Sequence, residues 1–149
     1  MSSEMKLNQE YKINIFIWLA MVVSLFAYSG MVFAIPAETD VPLEPVVMYA
    51  LGFVGLNMFV VAIVMRKLLV KKAAGAENPY EKYRIAIVVG LALAESIGLF
   101  GVVLHFMGAS LGIVFAFFLA SIICMLLIRP NQTEMSGLMT ESTRSSDGL

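Results

Sequence analysis

Glu95 is the one acidic residue set in the middle of a long apolar run, Ile87-Val88-Val89-Gly90-Leu91-Ala92-Leu93-Ala94-Glu95-Ser96-Ile97-Gly98-Leu99. An ionised carboxylate at the centre of a hydrocarbon layer costs about 2.5–3.5 kcal/mol on insertion scales. Such a residue is therefore either held by a partner or used. Desolvation favours the neutral form of a carboxyl, and a neutral carboxyl that water or a cation can reach is able to take up and release a proton. The plainer reading is a carboxyl that hydrogen-bonds a neighbouring helix and helps the bundle assemble. Asn57, in another apolar run, is a candidate partner. Depth counted from the intervening loop puts it within about one helical turn, near 5 Å, of Glu95. His105 is a weaker candidate. Its unperturbed pKa near neutrality suits a proton relay, but ten residues of helix separate it from Glu95 by about 15 Å. A histidine bonded to a loop carbonyl is the simpler expectation.

The remaining reactive types are sparse. Cys124 is the single cysteine and stands among Ile123 and Met125, where a thiol reads as packing. No Cys/His cluster has metal-ligand spacing, no glycine-rich loop would cradle a phosphate, and no nucleophile is paired with a base. No second ionisable residue accompanies Glu95 to divide acid and base roles, so no catalytic residue and no cofactor is expected and an enzyme ranks last. The net charge is −1, which gives no footprint for nucleic acid.

The elements that must position Glu95 follow from hydropathy. Of 149 residues, 60% are hydrophobic and only 14% charged, against roughly a quarter charged in ordinary soluble domains. A helix needs about twenty apolar residues to cross a bilayer. Four runs qualify, near residues 13–35, 46–66, 83–107 and 110–128, separated by Pro36, Pro45, the charged stretch around Arg66 and Lys67, and Gly108. The expected fold is all-α, a four-transmembrane-helix bundle with short loops, followed by a flexible, disordered tail over 131–149 that is rich in Ser, Thr and Gly. Within that tail, Asn131-Gln132-Thr133 matches a glycosylation acceptor by chance.

Direction follows from the basic residues, because loops rich in Lys and Arg stay in the cytoplasm. Arg66, Lys67, Lys71, Lys72, Lys82 and Arg84 flank the second loop, whereas the first carries Glu38, Asp40 and Glu44 and no basic residue. The expectation is a multi-pass cell-membrane protein with both termini and the 66–84 loop cytoplasmic, and with a tight external turn near 107–109. A competing reading makes the first run a signal peptide cleaved after Val32-Phe33-Ala34; its length and its mixed-charge N-terminal flank weigh against that.

Around the third helix, at about 100° per residue, Gly90, Ala94, Gly98, Gly101, His105 and Gly108 share a stripe roughly 80° wide, with Glu95 on its shoulder. Small residues allow close helix contact, so Gly90, Ala94, Gly98 and Gly101 are the expected packing surface.

Asn78-Pro79 in a basic-flanked loop, followed by the run from Ile87 to Val103 with Glu95 at its centre, resembles the loop and second helix of the rotary ATP synthase c subunit, or proteolipid. The resemblance covers about forty residues, Val64 to Leu104. It implies a two-helix hairpin with a cytoplasmic polar loop, in which Glu95 binds and releases a proton or cation. It also implies further copies of the chain, or other subunits of a membrane complex, as partners beside the lipid bilayer. The flanking first and fourth runs and the few glycines of the second, Gly52 and Gly55, depart from that family's pattern. The alternative function is a non-catalytic four-helix scaffold or accessory subunit.

Overall fold

The computed structural model describes residues 3–36, 44–74 and 76–138. Four long helices dominate it: α1 (Ser3–Ala34), α2 (Pro45–Ala73), α3 (Pro79–Phe106) and α4 (Leu111–Leu127). A short fifth, α5 (Gln132–Leu138), follows at 45° to α4. No strand occurs among the described residues.

Both α2 and α3 begin on a proline, Pro45 and Pro79. In the first helical turn a proline's missing N–H has no partner to lose, and its fixed φ suits the helix. The α3–α4 turn closes on Gly108, whose φ is 86°. There the N–H groups of Met107, Gly108 and Ala109 donate to the carbonyls of Val103, His105 and Leu104. Those bonds satisfy the last carbonyls of α3, and a left-handed residue is the usual way to aim them.

α3 is the central helix and packs against each of α1, α2 and α4. Its buried face includes Tyr83, Ile87, Gly90, Leu91, Ala94, Ile97, Gly98 and Gly101. The outer faces of the bundle expose large apolar side chains, among them Phe16, Phe26, Phe53 and Leu119. Water would not tolerate so much exposed hydrocarbon, and a bilayer would. α1, α2 and α3 are each long and apolar enough to cross a membrane, and α4 joins them if it is counted with α5 as one bent span. At 17 residues, α4 rises about 25 Å, near the lower limit for spanning.

The helices differ from the expected boundaries in one consistent way. α1 begins some ten residues before Ile13, α2 continues past Arg66 to Ala73, and α3 starts at Pro79 rather than Tyr83. Charged turns end an apolar run without ending a helix, because backbone hydrogen bonding continues wherever Lys, Arg, Glu and Gln, all good helix formers, carry it. The connection between α2 and α3 is accordingly short.

The tail also differs. Its first part is ordered: Asn131 Oδ1 accepts from the Thr133 N–H at 2.9 Å, which caps α5, and Met135 and Leu138 are buried. The Asn-Gln-Thr match is a helix cap, a role asparagine fills well. Residues 139–149 and the acidic stretch containing Glu38 and Asp40 lie outside the described residues.

Candidate functional site

Glu95 is half-buried on the side of α3 that faces α1. Its Oε1 is in hydrogen-bond contact with Ser24 Oγ, and Ser24 Oγ is also 2.8 Å from the Met21 carbonyl. A serine hydroxyl has one hydrogen to give and lone pairs to accept with. With Ser24 as donor, its single hydrogen is shared between Glu95 Oε1 and the Met21 carbonyl of its own helix. A hydroxyl can donate to a carboxylate and accept from a carboxylic acid, so the contact is open to Glu95 in either form.

The backbone beside Glu95 is held from the opposite side. Ser121, fully buried on α4, donates from its Oγ to the Ala94 carbonyl at 2.7 Å. Neither Ser24 nor Ser121 stood out in the sequence. The available signal was depth: each is a hydroxyl deep in its apolar run, and a hydroxyl in hydrocarbon needs a partner.

Asn57 and Glu95 are not brought together. Asn57 lies on the exposed face of α2, where its Nδ2 donates to the Phe53 carbonyl of its own helix at 2.8 Å. Matching depth was insufficient because azimuth decides contact. His105 also stays apart from Glu95. It is 6% exposed, and its Nε2 is 2.8 Å from the Ile35 carbonyl just beyond α1. A carbonyl only accepts, so Nε2 carries the hydrogen, and the bond ties the end of α3 to the end of α1. His105→Phe is expected to leave that carbonyl without its donor and to lower unfolding stability by about 1 kcal/mol, read by thermal unfolding in detergent. An unchanged midpoint would show that the bond is dispensable.

The stripe of small residues is where α3 meets its neighbours most closely. A Cβ at Gly90 would lie 3.1 Å from Ile128 Cγ2, and one at Gly101 would lie 3.1 Å from both Phe117 Cβ and the Val114 carbonyl oxygen. At Gly98 it would run into Leu25 Cδ1 of α1. Ala94 is fully buried. Glycine and alanine here let α1 and α4 approach on either side of the Glu95 turn.

At the end of the bundle carrying the α2–α3 connection, acids from both ends of the chain meet the arginines. Glu134 of α5 pairs with Arg66 at 2.6 Å and accepts from the Tyr83 hydroxyl at 3.1 Å; the Tyr83 oxygen in turn accepts from the Asn131 N–H at 3.1 Å. Glu10 of α1 pairs with Arg84. α1 is pinned to α4 by Trp18, whose Nε1–H donates to the Met125 carbonyl at 2.9 Å. That carbonyl belongs to the last turn of α4, where intrahelical partners run out. No group of three or more His, Cys, Asp or Glu is placed to hold a metal among the described residues.

Fold and site together define an integral membrane protein built as an all-helical bundle around α3. No protein-family model matches the chain, and no curated protein or solved structure matches it significantly.

Proposed function

We propose that the protein handles protons or a monovalent cation through Glu95, near the middle of its third membrane span, in the manner of a c-subunit-like carboxylate. The observation that carries this reading is the contact between Glu95 and Ser24 deep in the bundle, because a hydroxyl is a partner that can donate to a carboxylate and accept from a carboxylic acid. The half-buried position of Glu95 also supports it, because a carboxyl sealed on all sides could not exchange its proton. Basic residues around the α2–α3 connection favour a cytoplasmic position for that end of the bundle, which is the orientation that the c-subunit resemblance implies.

The test is carbodiimide labelling of purified protein in detergent across pH, read by mass spectrometry at Glu95, with Glu95→Gln as the blank. The expected outcome is labelling that falls as pH rises, slowed by sodium only if that ion binds. Ser24→Ala is expected to raise the labelling rate at fixed pH several-fold, because it frees the carboxyl from its partner. Absence of labelling at every pH in folded protein would end this reading.

A second reading has its own observation. Ser24 joins Glu95 of α3 to α1, so the same contact can serve as interhelical attachment in a scaffold or accessory subunit. In that role Glu95→Gln is tolerated, since an amide retains a hydrogen bond to Ser24. Under proton handling, Glu95→Gln abolishes function and Glu95→Asp partly retains it.

A further inference from the structure

We propose that α2 pairs with α2 of a second copy of this chain, forming a parallel twofold dimer in the membrane with Asn57 at its centre. The inference rests on the outer face of α2 and not on the role of Glu95. Read along the helix, Val46, Ala50, Phe53, Asn57, Val60 and Val64 follow alternating steps of four and three, the spacing of a coiled-coil seam. All six are exposed in the single chain. From Val46 to Val64 the seam is about 27 Å long, close to the roughly 30 Å thickness of a hydrocarbon core.

Asn57 identifies the occupant. Its amide makes one hydrogen bond among the described residues, to Phe53 of its own helix. That leaves a second N–H and the carbonyl oxygen facing outward at mid-span, where lipid offers neither donor nor acceptor. An amide is self-complementary. Two copies inserted in the same direction and related by an axis along the membrane normal bring each residue opposite its twin. Asn57 then meets Asn57 at the same depth, and each amide completes the other. A lone asparagine at such a seam position also selects register and a two-stranded state. The next two seam positions are Lys67 and Lys71, so like charges end the pairing where the helix leaves the hydrocarbon.

The test uses the full chain with Cys124→Ala as background and single cysteines introduced along α2, reconstituted in liposomes and oxidised. Cross-linking is expected at Phe53 and Val64, both on the seam and both leaving Asn57 in place, and not at Leu56 or Met65, which are also exposed but point about 80–100° off the seam. With the native residues restored, the dimer fraction is read by energy transfer between labelled copies at low protein-to-lipid ratio. Asn57→Leu is expected to weaken pairing about tenfold, and Asn57→Gln to retain most of it. A monomer at every protein-to-lipid ratio, cross-links at Leu56 or Met65 instead, or undiminished pairing in Asn57→Leu would each overturn the proposal. So would an assembly with more than two copies, or a different protein seated on this face.

Discussion

Replacing Gly101 by leucine is expected to lower the unfolding free energy of the bundle by about 2 kcal/mol, whereas Gly30→Ala on α1 should leave it unchanged or raise it. A Cβ at Gly101 would stand 3.1 Å from the Val114 carbonyl oxygen, which is backbone, and 3.1 Å from Phe117 Cβ, which is fixed to backbone. Neither can swing aside as the end of a flexible side chain can, so α3 and α4 must separate. Overpacking of this kind costs about 1–3 kcal/mol. Leucine's better helix propensity offsets at most about 1 kcal/mol of that. The offset is smaller still in hydrocarbon, where the backbone is helical in any case. Gly30 has nothing within 4 Å of its would-be Cβ, so there only the propensity term acts. Unfolding of both variants in mixed detergent micelles checks the contrast, and equal effects at the two positions would mean that the α3–α4 approach does not depend on Gly101.

The second large effect is expected at the basic end. Glu134→Ala should cost about 2–3 kcal/mol, of the size found for hydrogen bonds to charged groups, and should expose α5 to protease. Glu134 accepts from Arg66 through both carboxylate oxygens and from Tyr83 through one. Arg66 is only 13% exposed and Tyr83 not at all, so deleting the acid leaves a guanidinium and a phenol poorly hydrated. The 32% exposure of Glu134 itself places the effect below that of a fully buried pair. Adding Arg66→Met to Glu134→Ala should recover most of the loss, because much of it comes from the stranded charge. If the double variant were no more stable than Glu134→Ala, the pair would not be the cause. The Glu10–Arg84 pair is more exposed on its arginine, at 36%, and Glu10→Ala should cost under about 1 kcal/mol.

This ion pair also shows where reading the sequence falls short. Arg66 and Arg84 read there as marks of orientation, and that reading concerns only their position at the end of an apolar run. Their acids, Glu134 and Glu10, lie 68 and 74 residues away along the chain, and nothing local links them. A nearer signal for α5 was present: Asn131 followed three residues later by Glu134 is the pattern of a helix start. It was masked by the polar composition around it. In the structure Glu134 turns away from the cap and toward Arg66, so even that pattern would have found the helix and missed the contact.

The sequence by itself determined the material of this protein: long apolar runs that must be helical in hydrocarbon, a basic connection between the second and third, and one carboxyl deep in the third. Those properties depend on composition and on spacing along a single helix, where 3.6 residues per turn relates every position to its neighbours. It also placed Gly90, Ala94, Gly98 and Gly101 on one stripe. Only the tertiary structure decided which helix fills that stripe, that Ser24 rather than Asn57 meets Glu95, and that Asn57 faces outward. The physical reason is rotational. Depth in a membrane can be counted from a loop, but the azimuth of one helix about another is set by how all the side chains pack together. A turn of about 100° in a helix's facing exchanges a partner for a stranger without moving any residue in depth.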